Sequence, residues 1–324
     1  MHVVFRHSKP LPVLKYGGIE RLLFWMMKDL VKLGCRVTLI GHPGSKVGEI
    51  GVELIPENKG PWQDLVPGGA DIIQLFYPTH ENLPKPTIFY ICGNAKPGEV
   101  LPLNTVFASE SHARNHSSKC FVHHGVDFDS YPTGQLVNSD RWKKFAFLAK
   151  ASWKIKNLDS CIRAVKVAKA ELYIGGGRGW SFSRNIHWLG MLDDAEQMKL
   201  FQKTDAFLWP VRWPEPFGLA PVVAMSYGLP VLASQHGSSR ELVDDPGVGL
   251  VCESFSKFVE AIQSKPDFYS SKQIQEYARE KFKLRHMTNK FLDLYKRVVA
   301  GESLNAAQPL SSFREPSDKV LLPF

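Results

Sequence analysis

The sequence has few of the features that mark secreted, membrane-spanning or metal-binding proteins. Its five cysteines are scattered and without close pairs: Cys35, Cys92, Cys120, Cys161 and Cys252. This spacing indicates a reducing compartment and excludes a disulfide framework and a cysteine zinc site. No run of about 18 apolar residues is present, so no spanning helix is expected. The chain begins like a buried strand, without a secretory-type leader, and we expect a cytoplasmic protein.

Long runs of one charge and nucleic-acid motifs are also absent. The 40 Lys and Arg against 32 Asp and Glu give a formal net charge of +8 and a pI of about 9.1. These charges are dispersed apart from modest clusters at residues 141–156 and 281–285. A solvated basic surface explains them, and peripheral contact with an anionic inner membrane face is the next alternative. No helix-turn-helix, zinc-finger or RNA-recognition pattern occurs, so nucleic acid is not an expected partner.

What the sequence does have is a regular alternation of strands and helices. The 324 residues are 44% hydrophobic, enough for one large or two medium domains. Strands are predicted at 2–5, 36–40, 72–76, 87–91, 105–107, 121–122, 145–149, 172–174, 186–189, 206–209 and 231–233. Helices are predicted over 17–33, 158–169 and 195–202, after Gly218, and in helix-forming sequence from 271 to 299. This alternation predicts an α/β fold with parallel sheets covered on both faces.

The alternation restarts near residue 141, after a polar, turn-rich connection. It therefore predicts two Rossmann-like domains that face a cleft. The first domain is predicted at residues 1–139 and the second at 140–282. Residues 301–324 are predicted to be a tail, in which Val320-Leu321-Leu322 is the candidate docking segment.

The most informative segment runs from Trp209 to Val231. A strand enters a proline-rich turn with one carboxylate, Glu215, and Gly218 then opens a short apolar helix. In open α/β sheets ligands bind at the carboxyl ends of the strands, and backbone amides at a helix N-terminus attract phosphate. A carboxylate at that edge suits hydroxyl groups rather than phosphate. The pattern favours a phosphate-linked polyol such as a nucleotide sugar.

Two glycine-rich turns add candidate contacts. Gly17 and Gly18 stand at the first helix start, where the backbone can approach a ligand closely and the helix dipole favours phosphate. A plain tight turn is the alternative there. Gly175 and Gly177 follow the strand at 172–174, but Trp180 stands where a dinucleotide fingerprint needs another glycine. That partial match is weak evidence for dinucleotide binding.

The segment after the strand at 206–209 resembles the signature of the family 4 retaining glycosyltransferases, which have the GT-B fold. The residues that carry the resemblance are Glu215-Pro216-Phe217-Gly218-Leu219, Ala224-Met225 and Gly228-Leu229-Pro230-Val231. The resemblance implies two Rossmann-like domains, a last helix at about 283–300 that crosses back to the first domain, and a nucleotide diphosphate sugar donor with UDP or GDP. In that family the Glu215 position contacts the donor sugar. Donor contacts are implied at Gly17, Gly18, Gly175, Gly177, Pro216, Phe217, Gly218, Leu219 and Val223.

A second part of the resemblance lies between residues 147 and 158. Lys150 stands where the family has an arginine and Lys156 where it has a lysine, with Lys154 as a further candidate. The resemblance implies that Lys150 and Lys156 neutralise the departing diphosphate, and surface lysines are the alternative. No metal or cofactor is expected, because Asp193-Asp194 is typical of a helix start. The stretch from Gly125 to Asp127 resembles the family's interdomain hinge, and the preceding His123 and His124 are interpreted as structural.

Two departures from the family bear on activity. The family has a second glutamate eight positions after the first, which holds the nucleotide ribose, and here Val223 stands there. A lost charged hydrogen bond weakens binding by roughly 1.5–3 kcal/mol. The family also places a histidine near the transferred sugar, where this chain has Cys92, with Asn94 as the nearest polar substitute.

The resemblance implies a metal-independent sugar transfer with retention to a saccharide or lipid-linked glycan acceptor. Bacterial surface polysaccharide or lipopolysaccharide biosynthesis is the usual setting of the family. A nucleotide-sugar epimerase and a catalytically weak or silent sugar-nucleotide binder remain as alternatives, and Val223 and Cys92 favour the second of these. A basic nucleic-acid-binding protein is the third.

Overall fold

The computed structural model describes residues 1–13, 17–57, 60–131, 142–181 and 183–324. They form two compact units, each assembled from two parts of the chain. Unit 1 comprises Met1–Val126 and Leu284–Arg314, and unit 2 comprises Asp127–Lys283 and Glu315–Phe324. In the described ranges, none of the helices combines the length and the apolar character needed to cross a membrane.

Strands and helices alternate along most of the chain. The strands in the described ranges are β1 (His2–His7), β2 (Arg36–Gly41), β3 (Glu53–Pro56), β4 (Ile72–Leu75), β5 (Thr87–Ile91), β6 (Thr105–Phe107), β7 (Lys144–Leu148), β8 (Glu171–Gly175), β9 (Ile186–Gly190), β10 (Ala206–Trp209), β11 (Val231–Ser234) and β12 (Gly249–Cys252). The α-helices there are α1 (Gly18–Lys32), α2 (Glu110–Arg114), α3 (Leu158–Val167), α4 (Asp194–Gln202), α5 (Leu219–Ser226), α6 (Ser239–Leu242), α7 (Phe255–Ser264), α8 (Ser271–Lys281) and α9 (Leu284–Val299).

Unit 1 contains an open parallel sheet in the order β3-β2-β1-β4-β5-β6. The central strand β1 is apolar on both faces, and Val3, Val4 and Phe5 are fully buried, as expected for a parallel strand covered on both sides. Helix α9 packs against α1. There Arg285 donates hydrogen bonds to the Asp29 carboxylate from Nη2 at 2.7 Å and from Nε at 3.0 Å.

Unit 2 repeats this plan with the order β12-β11-β10-β7-β8-β9, again parallel. Its core contains Phe145, Phe147, Leu172 and Leu208 from the inner strands, packed under α3 and α7. Strand β7 pairs with β8 on one side and β10 on the other, so the strand order reverses there. The crevice outside the carboxyl ends of strands at such a point is the usual ligand position in open α/β sheets.

The α/β fold class predicted from the sequence is confirmed, and most inner strands agree within two residues. Three differences are clear. The helical sequence 271–299 forms two helices, interrupted at residues 282–283, where the chain passes from unit 2 to unit 1. The predicted strand at 121–122 makes only an isolated bridge to Phe107. The edge strands β3 and β12 lie outside the predicted set, because each has only four residues and a partly exposed, mixed pattern, with Pro56 at the end of β3 and Gly249 at the start of β12.

The predicted domain boundaries are not those of the two units, although α9 belongs to unit 1, as the resemblance implies for the last helix. The predicted boundary at 139–140 lies outside the described residues, and the units divide at residues 126–127 and 283–284. Residues 301–324 do not form a single tail. Residues 301–314 lie on unit 1, where Leu101 N–H donates to Pro309 O at 2.8 Å, and Glu315–Phe324 belongs to unit 2.

Candidate active site

The ends of β7 and β10 lie side by side where the strand order of unit 2 reverses. The segment after β7 contains a short 3-10 helix, Lys154–Lys156, and the segment after β10 is the proline-rich loop 210–218. Two hydrogen bonds join these segments. Arg212 N–H donates to Ile155 O at 2.8 Å, and Asn157 Nδ2 donates to Pro210 O at 2.8 Å.

The joined segments bring together two of the three charged residues that the sequence singled out, Lys156 and Glu215. Lys156 Nζ lies 2.5 Å from Glu215 Oε2, and both residues are buried, at 8% and 6% exposure. Trp213 Nε1 donates to the same Oε2 at 2.6 Å. Among the described residues, Oε1 has no hydrogen-bond donor. One oxygen of Glu215 is therefore fixed, and the other can accept a ligand hydroxyl.

Two indole rings enclose the Lys156 ammonium. Its Nζ lies 4.9 Å from the ring centre of Trp209 and 4.8 Å from that of Trp213, distances at which a cation is attracted to an aromatic face. Trp209 is buried, and its Nε1 has no partner within the described part of the chain. The positive charge is thus stabilised by a carboxylate and two rings in a site with little water.

Gly237 packs directly against the backbone of Glu215. A Cβ at Gly237 would lie 2.2 Å from Glu215 N and 2.3 Å from Glu215 O, and its φ is +60°. The next residue, Ser238, donates its N–H to Glu215 O at 3.0 Å and its hydroxyl to Phe217 O at 2.5 Å. The segment after β11 therefore fixes the path of the Glu215 loop, and only glycine fits at residue 237.

Helix α5 begins immediately after this loop. Gly218 is its N-cap, with φ +89°, and no side chain caps the first turn. A Cβ at Gly218 would lie 3.1 Å from the Trp209 ring, so the loop is packed tightly against the indole. The first amides of a helix without a capping side chain are free to bind an anion. Phe217 is buried and packs on Phe282, while Pro216 and Leu219 flank this start.

The glycines after β8 pack against the segment that carries Lys150. A Cβ at Gly176 would lie 1.9 Å from Ala149 O, and one at Gly177 would lie 3.0 Å from Ala151 Cβ. Gly175 is enclosed by Leu148 and Leu192 side chains. Lys150 itself is exposed and lies over the Trp153 ring at 4.9 Å. Unlike Lys156, it takes no part in the buried ion pair.

Two further residues discussed in the sequence analysis, Val223 and Asp193, lie within or at the start of helices of unit 2. Val223 lies inside α5 at 3% exposure, so its apolar side chain belongs to the core. The Asp193 side chain caps α4 by accepting from Glu196 N–H, and the Glu196 carboxylate accepts in turn from Asp193 N–H. The prediction of a helix start at Asp193-Asp194 is therefore confirmed.

Gly17 and Gly18, the two predicted donor contacts in unit 1, lie at the helix start that the sequence predicts for them. Gly17 is the N-cap of α1, with φ +150°, and Gly18 is the first helical residue. No side chain caps this helix. Glu20 lies beside Gly17, where an added Cβ would come within 2.9 Å of its Oε2, and it pairs with Lys9 at 2.8 Å. The turn therefore places the first helix amides beside a carboxylate, which itself accepts from the Glu20 backbone N–H.

The loop after β5 contains Cys92 and Asn94. Burial raises the pKa of the Cys92 thiol, which donates to Tyr90 O at 3.8 Å. Such a thiol is neutral and cannot replace a histidine as a proton acceptor. Asn94 is half-buried. The predicted sugar-side pair thus retains one polar group suited to hydrogen bonding.

Two buried histidines fix the backbone on either side of Asn94. His112 lies 3.1 Å from Gly93 O through Nε2, and Ala95 N–H donates to His116 Nε2 at 3.1 Å. Since Ala108 N–H donates to His112 Nδ1, Nε2 of His112 carries the proton. Burial lowers the pKa of both rings, so both are neutral.

Sequence reasoning missed Trp213, the second donor to Glu215. Its position two residues before Glu215 is visible in the sequence, but no rule of spacing predicts that a loop folds an indole back onto a nearby carboxylate. It also missed Gly237 as the residue that packs on Glu215, although a glycine after a strand is a general signal of close backbone approach. Both depend on the path of the loops.

The comparisons with known proteins match the part of the chain that contains this site. Residues 135–281 match the family model "Glycosyl transferases group 1". An uncharacterized 41.2 kDa protein in the cps region of Klebsiella pneumoniae is 32% identical over 156 residues, 44% of this chain and 43% of that protein. Glycogen synthase from Thermodesulfovibrio yellowstonii is 27% identical over 114 residues, 33% of this chain and 23% of the enzyme. These matches span less than half the length of either relative.

Solved structures of similar fold cover almost the whole chain. AviGT4, a glycosyltransferase involved in avilamycin A biosynthesis, has a TM-score of 0.76 at 18% identity, over 93% of this chain and 99% of its own. Anabaena HepE in complex with UDP-glucose has a TM-score of 0.64 at 15% identity, over 91% and 99%. WaaG, a glycosyltransferase involved in lipopolysaccharide biosynthesis, has a TM-score of 0.62 at 16% identity, over 90% and 99%.

At these identities the likeness establishes the fold, and the family model matches the part of the chain that contains Lys156 and Glu215. Both findings confirm the resemblance found in the sequence. The chain therefore has the GT-B fold, and its residues 135–281 match the family model of the glycosyl transferases group 1.

Proposed function

We propose that this protein is a retaining glycosyltransferase that takes its sugar from a nucleotide diphosphate sugar. The observation that carries the proposal is the buried Lys156–Glu215 pair at the strand-order reversal of unit 2, directly before the uncapped start of α5. This arrangement offers a cation, a carboxylate oxygen and helix amides within one loop system. A sugar diphosphate presents the complementary groups.

In the proposed reaction, Glu215 orients the donor sugar through Oε1, while Oε2 stays fixed by Lys156 and Trp213. The α5 amides from Gly218 onward and the Lys156 ammonium stabilise the negative charge that develops on the departing diphosphate. Lys150, which is exposed, assists from the segment beside the Gly175 turn. Charge stabilisation of this kind commonly contributes about 3–4 kcal/mol per donor to the barrier.

The proposal includes retention and independence from metal or cofactor. Front-face transfer, in which the departing phosphate oxygen accepts the acceptor proton, needs no separate base. Asn94, held between His112 and His116, is the polar group of unit 1 that we assign to the sugar side. Gly17 and Gly18 contribute helix amides to the donor.

We further propose a saccharide or lipid-linked glycan as the acceptor, in surface polysaccharide assembly. A relative in a cps region and the fold likeness to WaaG support this setting, and UDP is the favoured nucleotide because HepE is solved with UDP-glucose. The net charge of +8 fits peripheral contact with an anionic membrane from the cytoplasmic side. Sedimentation with anionic vesicles at low and high salt tests that contact.

The donor site is tested by thermal unfolding with a panel of UDP-, GDP-, ADP- and dTDP-sugars. A ligand present at 100 times its Kd stabilises the folded state by about 2.7 kcal/mol, so one nucleotide class should raise the Tm. In the E215Q variant the extra shift given by the sugar over the free nucleoside diphosphate should be lost. The Lys169→Met variant, which removes an exposed lysine after α3, is the control and should respond like the unaltered chain.

Turnover separates the transferase from its alternatives. A transferase releases nucleoside diphosphate from the donor only when a sugar acceptor or water receives the sugar, whereas an epimerase converts the donor sugar without transferring it. A silent binder, the alternative that Val223 favours, shows a Tm shift without either product. No shift with any donor at millimolar concentration would refute the proposed donor site.

A further inference from the structure

Residues 315–324, termed the returning segment, lie on unit 2 after the chain has finished its path on unit 1. Leu322 and Phe324 are half-buried, while Leu321 and Pro323 are exposed. This period of two is that of an extended chain with one face against the protein. The Phe324 ring packs on the core residue Phe258 at 5.2 Å between centroids and on Phe255 at 5.7 Å. The segment is thus anchored at an aromatic cluster.

The returning segment binds the Glu215 loop at Arg212. Leu322 N–H donates to Arg212 O at 2.9 Å, and Arg212 Nε donates back to Leu322 O at 2.5 Å. On its other side, Arg212 N–H donates to Ile155 O, the residue before Lys156. Arg212 is therefore held between the returning segment and the Lys156 segment, three residues before Glu215.

A second contact joins the returning segment to the stretch of chain that packs on Glu215. His236 Nε2–H donates to Pro323 O at 2.5 Å, since proline has no N–H and its carbonyl can only accept. The next residue, Gly237, packs on the Glu215 backbone. The returning segment therefore hydrogen-bonds to Arg212 and to His236, which lie in the two segments that determine the position of Glu215.

We propose that the returning segment positions the candidate active site, with Arg212 and His236 as positioning residues that act through the Glu215 loop. The inference rests on the proposed function. Arg212 and His236 do not bind the donor; they keep the loop in the conformation in which Lys156 and Glu215 are paired.

The expected effect on binding follows from populations. When only a fraction of molecules has the competent loop conformation, the apparent Kd rises by the inverse of that fraction. Losing the Leu322–Arg212 bonds and lowering the competent fraction to one tenth would raise the apparent Kd and the donor KM by about tenfold. Once the donor is bound the loop is formed, so kcat should change by less than about threefold.

The test uses L322P, which removes the N–H that donates to Arg212, and F324A, which removes the aromatic anchor. The control is L321A, because Leu321 lies on the exposed face of the same segment, at 38% exposure. The first measurement is hydrogen exchange by mass spectrometry of the peptide covering 211–218. We expect faster exchange there in L322P and F324A, unchanged exchange in β10, and no change in L321A.

The second measurement is the donor KM and kcat of the same variants, with the nucleotide sugar that stabilises the unaltered chain. A rise in KM at nearly constant kcat, in L322P and F324A alone, supports positioning. Unchanged exchange at 211–218 in both variants, or equal effects in L321A, overturns it. Because exchange needs no donor, absence of any donor binding by the unaltered chain would defeat the proposed function while the exchange result still decides on the loop.

Discussion

At the scale of single residues, the candidate site depends on two charges that have little contact with water. Lys156 and Glu215 side chains are 10% and 7% exposed, and an unpaired charge in such a position costs several kcal/mol. The ion pair, the Trp213 N–H and two indole faces compensate that cost. The groups are therefore held in place before a ligand arrives, which is what stabilisation of a developing charge requires.

Replacing Lys156 by Met keeps the side-chain length and leaves Glu215 buried without its counter-charge. We expect the free energy of unfolding of unit 2 to fall by about 3–5 kcal/mol. The double variant K156M/E215Q removes both charges and should regain much of that loss. Urea denaturation followed by circular dichroism measures both.

Lys150→Met is the matched control for this experiment. Lys150 is exposed, and its ammonium lies over the Trp153 face, so its loss should cost less than about 1 kcal/mol. A double variant no more stable than K156M would show that the two charges are not energetically coupled.

Local patterns place Glu215 at a strand end before a helix start, whereas Lys156 is a candidate only through the family resemblance. The sequence cannot rank Lys156 above Lys150, since both are lysines after one strand and their burial differs only through the loop after β10. Gly125 shows the same limit. Its place in a hinge-like motif suggests an unusual backbone conformation. In the structure, glycine is required there because a Cβ would lie only 2.6 Å from Leu284 Cα.

At the scale of elements, strand β5 is fixed by a buried neutral histidine. Tyr90 on β5 donates its hydroxyl to Val122 O at 2.7 Å and lies 2.6 Å from His124 Nδ1, which donates to it in return. Burial lowers the pKa of His124 to about 3. The neutral ring is therefore part of the packing between β5 and the segment that contains Val122 and His124.

This histidine makes the stability of unit 1 dependent on pH. Because the folded pKa is depressed from 6.5 to about 3, the unfolded chain binds the proton more readily between these values. The contribution of His124 is complete above about pH 6.5 and is lost as pH falls toward 3, at about 1.4 kcal/mol per pH unit. The His124→Asn variant keeps a donor toward Tyr90 but does not titrate.

We expect chemical denaturation between pH 7 and 4.5 to show a smaller loss of stability per pH unit in His124→Asn than in the unaltered chain. His112 and His116, and also His2 and His7, have pKa values lowered by burial and contribute to the remaining dependence. The matched control His286→Asn removes an exposed ring and should leave the slope unchanged. Equal slopes in all three proteins would contradict the assignment to His124.

Among the elements, the fully buried strands are predictable, including the edge strand β6, whereas the partly exposed edge strands β3 and β12 are not. The strands at 87–91, 105–107 and 206–209 match residue for residue because a strand buried on both faces is a continuous apolar run. Edge strands β3 and β12 have half-exposed, mixed sequences. The helical run 271–299 divides because the chain changes unit at residues 283–284, and a helix pattern carries no information about that change.

At the scale of the whole molecule, neither unit is a continuous piece of sequence. The chain passes between the units after residues 126, 283 and 314. Unit 1 therefore depends on α9, which supplies the buried residues Met287, Phe291 and Tyr295. Phe291 packs on Tyr90 of β5 at 4.8 Å between ring centroids, and Arg285 pairs with Asp29 of α1.

Residues 1–126 expressed alone should fail to fold for this reason. Without α9, the burial of three large side chains is lost, and each contributes about 1.5–3 kcal/mol to the free energy of unfolding. The total loss is comparable to the whole stability of many domains. Joining residues 284–314 to residue 126 should restore folding. A short Gly-Ser linker suffices, because Leu284 N–H already donates to Val126 O at 3.2 Å.

Circular dichroism and size-exclusion chromatography should show a cooperative melting transition and a monomer for the joined fragment alone. The same joined fragment with Phe291→Ser and Tyr295→Ser should behave like residues 1–126. A folded, monomeric fragment of residues 1–126 would show that the first sheet and α1 are sufficient, and that α9 only covers a unit already stable without it.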